Sequence, residues 1–405
     1  MKCLQDYARL VGGEAISEIR EKASGLRGRR IVHINSTNEG GGVAELLNSV
    51  VPLMNDIGVE TDWKILNGTS DFFTLTKGFH NALQGGSVEL DELKEHLYTL
   101  TNAAFCTYAS IDADCVVVHD PQPLPLIKFH KKKQPWIWRC HVDLSNPNQT
   151  LWEFLKKFII EYDLVVMSSE KYKKKDLQLE QRIICPAIDP LSDKNMWLSR
   201  EEIINHIQKA EIPIDKPLIT QVARMDQWKD PEGLLEVFEQ IKARFDCRLV
   251  YCHSPASDDP EGTEVLSTTL RKAQKLVQSG DVIFVNGTNQ LFVNALQRFS
   301  TIIVQKSISE GFCLSITEAL WKEKPVVATN VGGIPAQLRE AENGFLVEPY
   351  DTTGFADKVV QLLQNPDLAE QMGRKGKEIV NNDFLVTRLI SDYLDLYSTL
   401  LDGHN

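Results

Sequence analysis

Two glutamates, Glu310 and Glu318, stand eight positions apart in Ser309-Glu310-Gly311-Phe312-Cys313-Leu314-Ser315-Ile316-Thr317-Glu318. The apolar run Thr301–Val304 precedes them and a helical pattern follows. Glu310 falls in the loop, where a carboxylate can accept hydrogen bonds from sugar hydroxyls. Glu318 has a structural alternative, since Ser315 followed three residues later by Glu318 is a capping box, worth about 1 kcal/mol. The two readings coexist, because a capped helix N-terminus still offers the Leu314 and Ser315 amides to a phosphate. Upstream, Arg224 and Lys229 lie five apart after the apolar run Leu218–Val222. Such a pair can hold a diphosphate, the arginine as a planar fork and the lysine as a point charge. It can equally be a solvated loop.

A third anion-binding candidate is Ser36-Thr37-Asn38-Glu39-Gly40-Gly41-Gly42. It joins the apolar run Ile31–Asn35 to a helical stripe of Val43, Leu46, Leu47, Val50, Met54 and Ile57, which Gly58 can close. Strand, glycines, helix is an order that lets backbone N–H groups approach a phosphate, although three glycines can also be only a flexible turn. The spacing fits neither G-x-G-x-x-G nor the Walker pattern, which argues against a dehydrogenase or a P-loop NTPase. Asp112-Ala113-Asp114 has the form of a D-x-D metal site but precedes a strand, at its amino end, and reads as a surface turn. The eight cysteines form no C-x-x-C pair and read as reduced core thiols, with Cys140 and Cys313 placed where a reactive thiol would matter.

These residues need rigid elements to position them. Apolar β-branched runs predict strands at Ile31–Asn35, Cys115–Val118, Trp136–Cys140, Leu164–Met167 and Ile183–Cys185. A second set is Leu218–Val222, Arg248–Cys252, Val282–Val285, Thr301–Val304, Pro325–Ala328 and Gly344–Val347. Helical patterns lie between most of them, the signature of parallel sheets covered on both faces. Turn signals between Pro186 and Lys216 separate the two sets. The expected class is α/β, with doubly wound domains at 1–190 and 191–384 whose strand ends face a shared central cleft. Leu385–Leu401 reads as an amphipathic helix.

With 405 residues, 42% hydrophobic and 25% charged, the chain has the composition of a globular protein of two or three domains. The N-terminus lacks a signal-peptide pattern and no apolar run is long enough for a membrane span, so a cytoplasmic protein without stable membrane association is expected. A net charge of −12 argues against a nucleic-acid binder. Lys131–Lys133 and Lys171–Lys175 read as solvated helix ends or loops.

Taken together and in order, the motifs resemble the retaining glycosyltransferases of family four, which have the GT-B fold of two Rossmann-like domains. Glu310 and Glu318 look like that family's E-x7-E motif, and Arg224 and Lys229 match its phosphate pair. Val331-Gly332-Gly333-Ile334-Pro335 resembles its glycine turn, and Asn343-Gly344-Phe345-Leu346-Val347 its following segment. Gly40–Gly42 fits its amino-terminal loop. A narrower resemblance, to the trehalose glycosyltransferring synthases, rests on His119-Asp120-Pro121-Gln122-Pro123, Trp136–Asp143, Gly40–Glu45, Gly78–Gly85 and Glu318–Lys322. Trehalose phosphorylases of the same fold are the nearest alternative, followed by a family-four enzyme with another acceptor.

The resemblance implies transfer of glucose from a nucleoside diphosphate to free glucose, giving α,α-trehalose in a reversible reaction. The partners are then a nucleoside-diphosphate glucose and glucose or trehalose, with no metal and no cofactor. The donor base, whether uracil, adenine or guanine, stays open, as does a homodimer. By the resemblance, Glu310 binds the donor sugar, with His141 and Asp120 facing the reacting sugars. Arg224, Lys229, Gly41, Gly42, Leu314 and Ser315 bind the diphosphate, Glu318 the ribose, and Asn286 and Gly287 the base. Glu39, Arg139 and Asp143 fall on the acceptor side. The tail helix crosses back to the first domain. Four departures from the family pattern stand out: Glu39 beside the glycine loop, Asp230 placing an anion next to Lys229, Cys252-His253 in place of glycine, and Cys313 where glycine or a small residue is usual.

Overall fold

The computed structural model describes residues 2–39, 41–254 and 261–402, so Gly40 of the glycine loop lies outside the described residues. Residues 2–187 together with 386–402 form one compact unit, and residues 188–385 form the other.

The first unit is built on a parallel sheet of β1 (Arg30–Asn35), β2 (Glu60–Ile65), β3 (Cys115–His119), β4 (Trp136–Arg139), β5 (Leu164–Met167) and β6 (Glu180–Ile183), in the order β2-β1-β3-β4-β5-β6. The second unit carries β7 (Leu218–Val222), β8 (Arg248–His253), β9 (Val282–Asn286), β10 (Ile302–Gln305), β11 (Val326–Thr329) and β12 (Gly344–Val347), in the order β12-β11-β10-β7-β8-β9. All five residues of β3, Cys-Val-Val-Val-His, are buried, as expected of a strand covered by helices on both faces. The cores on either side are aromatic and aliphatic. Phe72, Phe79, Tyr98, Phe154 and Trp138 pack in the first unit. Leu234, Phe238, Leu249, Tyr251 and Phe355 pack in the second.

In each sheet the strand order reverses once, between β1 and β3 and between β7 and β10. Such a reversal opens a crevice at the carboxyl ends of the two strands, the usual ligand position in open α/β sheets. The loops there hold Ser36–Glu39, Gly41 and Asp120 in the first unit, and Arg224–Lys229 and Ser307–Glu310 in the second.

Two strands differ from the sequence reading. Strand β2 was not expected: it is an edge strand of Glu-Thr-Asp-Trp-Lys-Ile, half-exposed and poor in β-branched residues. Strand β6 lies three residues upstream of the apolar run Ile183–Cys185, because its pairing with β5 runs through polar Glu180, Gln181 and Arg182. The tail helix, Val386–Asp402, packs on the Gly13–Ser24 and Gly42–Asp56 helices of the first unit. Lys22 Nζ reaches Ser391 Oγ at 2.9 Å and Asp395 Oδ2 at 2.7 Å. Arg388 Nη2 donates to the Cys185 carbonyl at 2.8 Å. Among the described residues no helix is long and apolar enough to cross a membrane.

Candidate active site

The second unit gathers most of the charged candidates. Lys229 ends a short turn, Gln227–Lys229, whose N-cap Asp226 takes the Trp228 N–H at 3.0 Å. The turn is tied to the glutamate loop by Ile308 N–H donating to the Trp228 carbonyl at 2.8 Å. This brings Lys229 Nζ into an ion pair with Glu310 Oε2, and both side chains are largely buried. Burial pulls the Lys229 pKa down, but the Glu310 carboxylate overrides it, and the net shift is upward. The ammonium therefore stays charged at neutral pH. Arg224 lies in the loop just before this turn, 3.5 Å from Asp226 Oδ2.

The Glu310 loop is held by the glycine turn after β11. Gly333 N–H donates to the Glu310 carbonyl at 3.0 Å. A Cβ at position 333 would come within 2.4 Å of the Gly311 carbonyl oxygen, so only glycine allows this approach. Gln337 Nε2 donates to the Phe312 and Cys313 carbonyls. Cys313 then takes a left-handed conformation, φ +77°, as the N-cap of the Leu314–Trp321 helix. Glycine would be the less strained residue there.

The capping box expected at Ser315 and Glu318 is not formed. Ser315 lies one residue inside the helix, and its Oγ accepts from Gln305 Nε2 at 2.7 Å. The helix keeps its Leu314 and Ser315 amides in the first turn, where an α-helix has no internal acceptor for them. Glu318 is buried and pairs instead with Lys194 Nζ at 2.8 Å, with Gln297 Nε2 at 3.3 Å. Asn286 is exposed at the end of β9, and Gly287 follows it with its N–H donating to the His253 carbonyl at 2.7 Å.

Asp230 does not act as a loose anion beside the diphosphate candidates. It is the N-cap of the Pro231–Lys242 helix, accepts from Gly233 N–H at 3.0 Å, and forms an ion pair with buried Lys306.

In the first unit, Gly41 starts the Gly42–Asp56 helix at φ +100°, a conformation that suits glycine. Glu39 is exposed beside it. Asp120 follows β3 at φ +61° and accepts the His141 backbone N–H at 2.7 Å. Burial pushes its carboxyl up to about 7. The His141 ring is half-buried and bonded through Nε2 to His119 Nδ1 at 3.0 Å, and His119 Nε2 contacts His33 Nδ1 at 2.9 Å. Asp143 is buried, with Oδ1 accepting from Ser145 N–H at 2.8 Å.

One expectation needs correction, and the reading of the cysteines as core thiols is supported at Cys140 and Cys313. Arg139 is fully buried, with Nη2 donating to the Ile184 carbonyl at 2.6 Å, so it sits behind the strand end instead of lining it. Cys140 is fully buried and its thiol lies well above its usual range through burial. Cys313 is pushed up to about 12, first by burial and then by the Glu310 charge, so neither cysteine is a reactive thiol. Asp112 and Asp114 are engaged by Arg30 and Arg29 at the amino end of the sheet. Among the described residues no three His, Cys, Asp or Glu side chains are grouped to hold a metal ion. Sequence reasoning passed over Lys194, Lys306 and Gln337, whose only signal is the contact each makes with a distant loop.

A family profile described as "Trehalose synthase, N-terminal domain" matches residues 33–174, and one described as "Glycosyl transferases group 1" matches residues 202–379. A trehalose synthase of Thermococcus litoralis is 42% identical over 402 residues, covering 98% of this chain and 97% of its own. A trehalose phosphorylase of Grifola frondosa is 26% identical and covers 94% of this chain but 58% of its own. Among solved structures, an α,α-trehalose-phosphate synthase (UDP-forming) from Burkholderia vietnamiensis has a TM-score of 0.75 at 16% identity, covering 93% of this chain and 99% of that one. That likeness is one of fold, and the fold is GT-B. The identity over the full length of both chains carries the assignment further: this chain belongs to the trehalose synthase family of glycosyltransferases.

Proposed function

We propose that the chain is a retaining glucosyltransferase that forms α,α-trehalose from a nucleoside-diphosphate glucose and free glucose. The observation that carries this reading is the Glu310–Lys229 ion pair beside Arg224 and the Leu314–Trp321 helix N-terminus, in a chain of the trehalose synthase family. A nucleotide sugar that loses its sugar leaves a diphosphate with growing negative charge. Lys229, Arg224 and the Leu314 and Ser315 amides are suited to stabilise that charge as it develops. Cations already in place supply what a divalent metal supplies in other transferases, so the reaction needs no added metal.

In this reading the diphosphate takes over Lys229, and Glu310 turns to the hydroxyls of the donor glucose. Glu318, steadied by Lys194, receives the ribose, and the Asn286-Gly287 turn lies against the base. Gly41 and Gly42, at the start of a helix in the first unit, are further candidates to offer backbone N–H groups to a phosphate. His141, Asp120, Glu39 and Asp143 serve the reacting sugars. The acceptor hydroxyl loses its proton to the departing phosphate on the same face of the sugar, which retains the α configuration. Glu310 is not a nucleophile here, unlike the second carboxylate of a retaining glycosidase.

A phosphorylase that uses glucose 1-phosphate is the second reading, supported by the likeness to the Grifola frondosa enzyme. Product NMR separates the two. The protein is incubated with glucose plus UDP-, ADP- or GDP-glucose, and separately with glucose 1-phosphate, without added metal. A non-reducing disaccharide from a nucleotide donor supports the synthase and names its base. The same product from glucose 1-phosphate alone makes the chain a phosphorylase. Glu310→Gln should abolish transfer and leave nucleotide binding intact, and unchanged turnover would remove Glu310 from the site.

A further inference from the structure

Behind His141 a line of hydrogen bonds crosses the first unit. Tyr397 Oη, on the Val386–Asp402 helix, lies 3.2 Å from His33 Nε2 on β1. His33 Nδ1 meets His119 Nε2 at 2.9 Å, and His119 Nδ1 meets His141 Nε2 at 3.0 Å. The His119 and His141 rings are stacked, 11° from parallel. Tyr397, His33 and His119 are fully buried, and the line ends at half-buried His141.

We infer that Tyr397, His33 and His119 are positioning residues that fix His141 as the neutral tautomer protonated on Nδ1, so that His141 meets a sugar hydroxyl as a hydrogen-bond donor. The inference rests on the proposed role of His141 and deepens it.

A neutral imidazole has one donor and one acceptor nitrogen, so three in series must all point the same way. In one direction Tyr397 O–H donates to His33 Nε2, His33 Nδ1–H to His119, and His119 Nδ1–H to His141 Nε2. The remaining His141 proton is then on Nδ1, which has no partner among the described residues. In the other direction every donor is reversed and His33 Nε2–H donates to Tyr397. The buried Tyr397 hydroxyl hydrogen then has no acceptor among the described residues. An unmade buried donor is costly, so the first direction is favoured.

The surroundings keep the line uncharged. The groups that face it are the Arg139 guanidinium, the phenols of Tyr393 and Tyr397, the Cys115 thiol and the Asp120 carboxyl. Asp120 is the only carboxyl of these, and its Oδ1 already accepts the His141 backbone N–H. Burial holds His33 down to about 3 and His119 and His141 well below the usual histidine range, with Arg139 reinforcing the last two. A neutral histidine that presents Nδ1–H cannot accept the proton of the acceptor hydroxyl. It can only hold a hydroxyl oxygen, which leaves that proton to the departing phosphate.

The test is a long-range 1H–15N correlation spectrum of the full chain labelled with 15N-histidine, with the His141 signals identified by their loss in His141→Gln. At pH 7 the expected pattern is a protonated Nδ1 and an unprotonated Nε2. Tyr397→Phe removes the hydroxyl that sets the direction and leaves His33 Nε2 unpaired whichever way the line runs, so the preference for one direction weakens. His141 should then show a mixture of the Nδ1–H and Nε2–H tautomers, and kcat should fall by up to about ten-fold, the worth of one hydrogen bond, with KM for the nucleotide sugar within two-fold. A wild-type His141 that is charged or protonated on Nε2 at pH 7 overturns the inference, and that reading does not need Tyr397→Phe to fold. So does a Tyr397→Phe protein with unchanged tautomer and kcat. The spectrum reads no turnover, so an Nδ1–H histidine in a protein that makes no disaccharide would overturn the proposed function and leave the tautomer standing.

Discussion

Asp120 and the histidines behind it bind protons in opposite senses, and their balance should be visible in the pH dependence of stability. The histidines are held below their unfolded range, His33 at about 3. Their contribution is present above about pH 6.5 and is lost as pH falls, by about 1.4 kcal/mol per pH unit for each histidine. Asp120 is raised to about 7 by burial, so its contribution runs the other way. It is full below about pH 4 and lost as pH rises through 7. Between about pH 4.5 and 6 the carboxyl therefore cancels one histidine. Asp120→Asn tolerates the left-handed backbone and still accepts the His141 N–H, but it titrates nothing. Urea unfolding across that range should show a steeper loss of stability in acid for Asp120→Asn, by about 1.4 kcal/mol per pH unit. Parallel pH profiles would place Asp120 in solvent and defeat its raised pKa. The sequence disclosed Asp120 and His141 because each sits at a strand end within a recognisable motif. It hid His33 and Tyr397, which are 364 positions apart and meet only through folding. Arg139 was misread for a related reason: a strand's last residue can turn inward or outward, and only packing decides which.

At the scale of elements, apolar strands were legible, including the edge strands β9 and β12, and the polar edge strands of the first sheet were not. Strand β3 is apolar throughout, whereas β2 and β6 are edges held by backbone pairing with little burial, so composition barely marks them. The capping box failed likewise: Ser315 and Glu318 have the right spacing, but Cys313 begins the helix and neighbouring side chains claim both residues. The tail helix shows the reverse case, a clear apolar stripe whose site of packing is remote in sequence. It buries Val386, Leu389, Ile390, Tyr393, Leu394, Leu396, Tyr397 and Leu401. At about 1.5–3 kcal/mol per buried side chain, this is on the order of 10 kcal/mol or more, comparable to the whole stability of a typical domain. A chain ended after Leu385 should therefore lose amide-exchange protection throughout β1–β6 and keep it in β7–β12. Retained protection in β1–β6 would make the helix an appendage and not part of the core.

On the scale of the whole molecule, the proposed donor contacts divide unevenly between the two units. Arg224, Lys229, Asn286, Gly287, Glu310, Leu314, Ser315 and Glu318 belong to residues 188–385, and only Gly41 and Gly42 belong to the other unit. A ligand that binds only the folded state adds RT ln(1 + [L]/Kd) to stability, about 2.7 kcal/mol at one hundred times Kd. For a unit of this size, 1 kcal/mol raises the midpoint by roughly 2–4 °C. A saturating nucleoside diphosphate should therefore raise the unfolding temperature of the second unit by about 5–10 °C. Hydrogen exchange can read each loop separately. Protection should rise at 224–229, 286–288 and 310–316, and also at 41–45 if the glycine loop holds phosphate as proposed. Replacing Arg224 and Lys229 together with alanine should abolish the thermal shift, whereas Glu310→Gln should keep it, because that carboxylate serves the sugar. Protection confined to the second unit would remove Gly41 and Gly42 from the diphosphate site. A double alanine variant that still shows the full shift would remove Arg224 and Lys229, and with them the electrostatic basis for metal-free transfer.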